Sequence, residues 1–311
     1  MDLPETENIV GHSGQQAGAG VSVLWANFAR KTDLDRGRTM ENYLTIDVED
    51  YFQVAAFGDI IDPDEWEGMD QRVQANVGPI LGLLERYRIR ATFFVVGWIA
   101  EKHPQVVRAI VDAGHDIGCH SYWHRNIYDL SPEEFREDTM RAKTILEELC
   151  GRRVVAYRAP SYSITNNSLW ALDILAEAGF TVDSSIFPIL HDRYGIPDSP
   201  RFRYKLSQNG MTEFPISTAL FFGKKIPVAG GGYFRLFPYW FTRMALLRIN
   251  EQEKQPFVFY LHPWEIDPGQ PRFERASMFS RFRHYNNLDK TLGRFQKLLT
   301  DFRFGPLPCV S

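Results

Sequence analysis

From residue 43 onward, short β-branched or aromatic runs alternate with longer stretches whose apolar positions recur every three or four residues. Residues 43–48 are apolar and β-branched, which predicts a strand. Over 73–87, Val77, Ile80, Leu81 and Leu84 recur at helical spacing. Residues 91–96 read as a buried strand, 104–113 as a short helix closed by Gly114, and 116–119 as a strand end. Ser131-Pro132-Glu133-Glu134 joins a capping box to a proline at the first helical position, so a helix starts there. It runs to Leu149 and stops at Gly151. A strand at 154–157, a helix at 167–178 stopped by Gly179, and strands at 180–182 and 257–261 follow, with a terminal amphipathic helix at 288–302. This rhythm predicts an α/β fold with parallel strands and helices outside.

Two segments break the rhythm. Residues 186–256 are rich in Pro, Gly and aromatics, hold Gly230-Gly231-Gly232, and read as an elaborated loop region over one barrel mouth. Residues 1–39 are Gly/Ala/Gln-rich and then dense in charge, and read as a flexible leader ahead of a domain over 40–311.

Composition narrows the function classes. A chain of 311 residues that is 44% hydrophobic and 24% charged can bury a core, which excludes wholesale disorder. A net charge of −4 argues against a nucleic-acid partner. Cys119, Cys150 and Cys309 are odd in number and far apart, so they form neither a disulfide framework nor a thiolate zinc cluster. The longest near-apolar run, 91–100, is about half of a membrane span. Residues 1–20 hold no Lys or Arg, so neither a signal peptide nor a transmembrane segment is expected and the location reads as cytoplasmic. Oligomeric state is not legible.

The polar residues gather where strands end. Strand one ends in Asp47-Val48-Glu49-Asp50, the 116–119 strand in His120-Ser121-Tyr122-Trp123-His124, and the 154–157 strand in Arg158-Ala159-Pro160. Asp183-Ser184-Ser185 and His262-Pro263-Trp264-Glu265 end two more. In α/β barrels the working residues collect at that face. An H-x-x-x-H pair alone also suits a solvated turn, but in a helical turn His120 and His124 can share a metal. A strand-one carboxylate completes two His and one carboxylate, which leaves an open position of the catalytic kind. Asp47 stands beside other acids, an arrangement that a shared cation and one general base explain. Glu49 shares its strand face with Asp47 by the period of two, while Asp50 is eligible if the strand has already ended. Arg158 can hold a carboxylate ionised. Cys119 reads as a packed strand residue, and His103, His115, His191 and His284 as structural.

The order of acid cluster, H-S-x-x-H, R-x-P, D-S and L-H over residues 43–264 resembles the NodB-type polysaccharide deacetylases of carbohydrate esterase family four. The stretches Thr45 to Phe52, Arg158 to Ser163, Phe259 to Glu265 and Phe282 to Leu288 resemble the exosortase-associated exopolysaccharide deacetylase branch. The resemblance implies a distorted barrel of about seven parallel strands, with a C-terminal extension over about 265–311, and a metal-dependent amide-hydrolysis site. Position by position, it implies Asp47 as general base, His120 and His124 as metal ligands, and Arg158 as the residue orienting the base. It also implies His262 as general acid, Asp183 as the acid tethering it, and Leu261 lining an acetyl-methyl pocket. The family's usual adjacent aspartates are here separated by Val48 and Glu49; a related branch with allantoinase-like members spaces them by one residue, which would make Glu49 the ligand.

The expected cofactor is a divalent metal, Zn2+ first, then Co2+, Ni2+ or Mn2+. The expected partner is an N-acetylated glycan, met by aromatics such as Tyr162 and Trp264. A backbone N–H of Ser161 or Tyr162 would hold the oxyanion, since Pro160 has none. A hydrolase of small cyclic or linear amides, or a carbohydrate-binding relic without catalysis, are the competing readings.

Overall fold

The computed structural model describes residues 40–191, 193–206 and 210–309, so the expected leader lies outside the described residues. In chain order the strands are β1 (Glu41–Val48), β2 (Thr92–Val95), β3 (Asp116–Cys119), β4 (Ala156–Tyr157), β5 (Val182–Asp183) and β6 (Tyr204–Lys205). They continue with β7 (Thr212–Glu213), β8 (Thr218–Phe221), β9 (Lys224–Pro227), β10 (Val258–Leu261) and β11 (Arg303–Gly305). Seven run parallel in the order β10-β1-β2-β3-β4-β5-β7, with β6 antiparallel at the far edge. Residues 41–43 of β1 pair with β11 and residues 45–48 with β2, so the chain's last strand extends the sheet below β2. β8 and β9 form a separate hairpin.

The sheet curls into a half-barrel. β1 and β4 are three strand spacings apart, roughly 14 Å in a flat sheet. Yet Arg158, after β4, reaches both Thr45 Oγ1 (2.8 Å) and Asp47 Oδ1 (2.6 Å) on β1. β6 and β10 do not pair among the described residues, so the barrel stays open. β10 is instead flanked by the 229–230 segment, where Tyr260 N–H donates to the Ala229 carbonyl (3.0 Å).

Strand alternation sorts the core into two layers. Leu44, Ile46, Phe93 and Val95 pack outward under the helices Val73–Tyr87, Gly97–Lys102, Pro104–Asp112 and Pro132–Cys150. Phe94, Ala156, Val182, Val258 and Tyr260 fill the concave side. Glycine is required twice there. A Cβ on Gly118 would lie 2.4 Å from the Phe94 ring, and one on Gly230 (φ +132°) would lie 2.1 Å from the Tyr260 carbonyl.

The capping box read at Ser131 forms as expected: Ser131 N–H donates to Glu134 Oε2 (2.8 Å), and Glu134 N–H donates to Ser131 Oγ (3.2 Å). The helix stops at Gly151 with φ +66°. The 186–256 segment is more ordered than its composition suggests. It supplies β6 to β9 and the helices Gly231–Leu236 and Tyr239–Glu251. Two-residue strands carry no readable alternation. The stripe Thr242, Ala245, Leu246 and Ile249 has helical spacing, but exposed Trp240 and Met244 put apolar side chains on the solvent face as well and hide it. The helix Met278–Tyr285 was likewise not anticipated.

Candidate active site

Asp47 on β1 and Glu49, one residue past its end, are both buried and line the site. Glu49, His120 and His124 bring one ligand atom each to within 4.8 Å of one another. His124 Nε2 lies 2.6 Å from Glu49 Oε2, and the two imidazole centroids are 4.9 Å apart. The helical turn expected between the histidines is absent. Ser121 (φ +60°) and His124 (φ +53°) adopt left-handed backbone instead. Asp138, on the helix Pro132–Cys150, pins this loop by accepting from the N–H groups of Tyr122 (2.6 Å) and Trp123 (3.0 Å). That residue was not singled out from the sequence, where it reads as one more charge on an amphipathic helix.

His120 is oriented by its own strand neighbour. Its Nδ1–H donates to the Arg158 carbonyl (2.7 Å), which leaves Nε2 as a lone pair. Burial lowers its pKa to about 4, so the ring is neutral and able to ligate. Burial opposes ionisation of Glu49, but His124, His262 and His120 outweigh it and hold the carboxylate well below the usual range. Glu49 Oε1 accepts from Trp264 Nε1 (2.9 Å), while Oε2 faces His124 Nε2.

Of the two carboxylates left open by the sequence, Glu49 joins the histidines and Asp50 does not. Asp50 Oδ1 accepts from Tyr51 N–H (2.9 Å), and Oδ2 accepts from the N–H groups of Arg72 (2.7 Å) and Val73 (2.9 Å). It thus caps the helix Val73–Tyr87, whose own N-cap residue offers no side-chain bond. The chain turns after Glu49, which sends the next side chain away from the cluster.

Arg158 is completely buried and makes four side-chain hydrogen bonds. Its Nη1 donates to Asp47 Oδ1 and Thr45 Oγ1, Nη2 to Ser184 Oγ (2.7 Å), and Nε to the Ser184 carbonyl (3.0 Å). The guanidinium therefore fixes Asp47 Oδ1 and leaves Oδ2 facing the site. His262 Nε2 lies 3.9 Å from that Oδ2 and 3.4 Å from Glu49 Oε1.

The tether of His262 is a correction. Asp183 accepts nothing from it: its carboxylate accepts from Ser185 Oγ (2.5 Å) and faces Glu213. Glu265 holds His262 Nδ1 instead, three residues on in the turn Pro263–Ile266. Glu265 is buried and is itself paired with buried Arg235 (3.2 Å). Burial works against the charged imidazole, but Glu49, Glu265 and Asp47 prevail and raise it to about 9. The i, i+3 spacing of His262 and Glu265 was the available signal, but it carries meaning only once Pro263 is known to start a helical turn. Trp264 stacks between His262 (5.3 Å) and His284 (4.2 Å), so His284 supports the wall of the site.

These groups line a cleft of about 440 Å³, together with Ser161, Tyr162, Tyr194, Tyr260 and Phe279. Leu261 is absent from its lining. By strand alternation Tyr260 and His262 face the cleft, and Leu261 packs into the opposite layer. The Tyr162 N–H donates to the Ala159 carbonyl (3.1 Å), whereas neighbouring Ser161 lines the cleft with left-handed backbone (φ +52°).

Comparison with known proteins follows the same division of the chain. Residues 67–182 match the polysaccharide deacetylase family, and residues 184–310 match a domain of unknown function, DUF3473. A peptidoglycan-N-acetylglucosamine deacetylase of Bacillus cereus is 37% identical over 95 residues, 30% of this chain and 34% of that one. A peptidoglycan deacetylase-like protein of Gibberella zeae is 33% identical over 115 residues, 36% of this chain and 33% of that one. The chain thus spans about a third of the length of these curated relatives. Among solved structures, a Mycobacterium smegmatis protein classed with the polysaccharide deacetylases superposes with a TM-score of 0.57. That superposition covers 86% of this chain and 87% of that one at 20% identity, a likeness of fold. The fold and the order of strand-end residues agree with that match: over residues 67–182 this chain is similar to the polysaccharide deacetylase family.

Proposed function

We propose that the chain is a divalent-metal-dependent hydrolase that removes N-acetyl groups from an N-acetylated polysaccharide or its precursor, in exopolysaccharide biosynthesis. The observation that carries this reading is the grouping of Glu49, His120 and His124 beside an Arg158-held Asp47 and a Glu265-held His262. The residues fit a cation. Glu49 Oε2 is buried against His124 Nε2, and His120 has its Nδ1 engaged and its Nε2 free to ligate. Two imidazoles and one carboxylate suit zinc, with cobalt, nickel or manganese as substitutes. Glu49, His120 and His124 would hold the ion, and Asp50 would not.

A bound divalent cation supplies Lewis acidity that lowers the pKa of water toward neutral and polarises an acetamide carbonyl. Asp47 Oδ2 accepts the proton of the attacking water, because Arg158 keeps the other oxygen occupied. The Ser161 N–H faces the charge that develops on the carbonyl oxygen. His262, whose charged form Glu265 and Asp47 favour, gives its Nε2 proton to the departing amine. Acetate and a free amino sugar leave. Tyr162 and Tyr260 line the cleft where the sugar would sit, and Trp264, its faces covered by His262 and His284, forms part of the wall.

The test is acetate release from a panel of N-acetylated glycans, run with a chelator and then with zinc, cobalt, nickel or manganese restored. Release that stops with the chelator and returns with the metal supports the reading. Full activity in the chelator sinks the metal site. Hydrolysis of small cyclic amides without any acetate from glycans sinks the substrate class.

A further inference from the structure

The helix Met278–Tyr285 stands at the mouth of the cleft and is anchored from one side. Its buried residue is His284, stacked on Trp264 (4.2 Å) and 4.6 Å from the Phe57 ring. The other side is apolar and bare: Met278, Phe279 and Phe282 are 86%, 66% and 57% exposed. At helical spacing these three fall within about 100° of the circumference, so they form one face. Large rings gathered on a surface in this way mark an interaction site.

The segment that carries that face is predominantly basic. Residues 270–286 hold four arginines, Arg272, Arg275, Arg281 and Arg283, against Glu274 alone, in a chain whose net charge is −4. None of the four forms an ion pair among the described residues. Arg272 lies over the Tyr285 ring (5.0 Å) and Arg283 over the Phe279 ring (5.2 Å), so aromatic contact positions them instead. Arg272, Met278, Arg281 and Phe282 also line a shallow groove of about 390 Å³, with guanidinium and apolar groups in one recess. An anionic head on an acyl chain matches both parts.

We propose that this face docks on an anionic lipid bilayer, with Met278, Phe279 and Phe282 entering the headgroup boundary and the arginines at phosphate level. An apolar helix face ringed by basic residues binds such a surface through buried area and charge together. No helix among the described residues is long and apolar enough to cross a membrane, so the attachment is peripheral. Phe279, Ser280 and Arg283 also line the catalytic cleft. Docking therefore turns the cleft mouth to the bilayer, where a glycan carried at the surface would meet it. The proposal goes beyond the deacetylase reading, and binding is measured without turnover, so either can fail alone.

The experiment is co-sedimentation of the full chain with vesicles of phosphatidylcholine alone or with about a third phosphatidylglycerol, at low and at high salt. We expect at least about tenfold stronger binding to the anionic vesicles, weakened by salt. Arg272→Glu with Arg281→Glu should remove that preference, and Met278→Ser with Phe282→Ser should lower binding by about tenfold or more. These four residues lie outside the cleft, so acetate release from a soluble chitooligosaccharide and the melting temperature check that each variant is folded. Equal binding to both vesicle types, or unchanged binding in the variants, overturns the proposal. A vesicle-independent dimer that Phe282→Ser dissolves also overturns it, making the face a contact between two copies.

Discussion

Residues 43–182 deliver Asp47, Glu49, His120, His124 and Arg158 from the ends of parallel strands that share one ladder. Residues 184–309 deliver His262 from β10, and hold it by a different means. Its position depends on Glu265, on the Arg235 behind Glu265, and on the ring stack of Trp264 and His284. In the first region the backbone ladder places the groups and hydrogen bonds refine them. In the second, buried side-chain pairs drawn from separated segments do the placing. The cation site and the proton donor should therefore fail separately when each region is altered.

The largest effects belong to the first region. His120→Ala should abolish both metal retention and acetate release, measured by elemental analysis beside turnover. Asp47→Asn should lose turnover to a similar degree while retaining stoichiometric metal. Loss of metal in Asp47→Asn would make Asp47 a ligand and erase the division of roles on β1.

In the second region, His262→Ala should lower amide turnover by about two to four orders of magnitude with metal content unchanged. An acetate ester, whose leaving group needs less protonation, should suffer much less. Equal losses on amide and ester would remove His262 from the acid role. Glu265→Gln should fall between wild type and His262→Ala on the amide, since it keeps a hydrogen-bond acceptor but removes the charge. A Glu265→Gln variant with wild-type turnover would break the claim that this region positions its donor through buried pairs.

Smaller effects concern stability. Asp183 and Glu213 face each other in full burial, and burial raises Asp183 to about 6 and Glu213 well above its usual value. Between the unfolded values near 4 and these raised values, the folded chain binds more protons than the unfolded one. Stability conferred by the protonated pair is thus complete at low pH and is lost as pH rises through that window. Glu213→Gln cannot ionise and can still donate to Asp183. It should match wild type in thermal unfolding below about pH 4 and exceed it near pH 8 by on the order of 1–2 kcal/mol. An identical pH slope in both proteins would show that the pair does not titrate on folding.

The smallest expected effect is that of Asp50→Asn. It replaces one acceptor oxygen at the start of the helix Val73–Tyr87 and should destabilise by about 1 kcal/mol. Metal content and turnover should stay at wild-type level. A loss of bound metal in this variant would move the ligand from Glu49 to Asp50 and reverse the register read from the geometry.

How much was legible differs between the regions for physical reasons. The strand and helix pattern of 43–182 is local, written in alternation, helical spacing, a capping box at Ser131 and a stop at Gly151, so it can be read without contacts. The partition of 186–256 is not local. β7 is two residues long and is a strand because β5 lies beside it. The same holds for the expected tether from Asp183, which carries the right chemistry at a strand end but has Glu213 for its neighbour.

By itself the sequence determined the parallel α/β architecture, the strand-end placement of Asp47, His120, Arg158 and His262, and the chemistry those residue types allow. Periodicity and strand-end position are properties of the chain alone, so no contact is needed to read them. Tertiary structure decided three other matters: Glu49 rather than Asp50 beside the histidines, Glu265 rather than Asp183 behind His262, and Leu261 turned away from the cleft. Each is a choice between neighbours of similar chemistry. What settles it is the direction in which a turn or pleat aims a side chain, and that direction is fixed by partners distant in sequence.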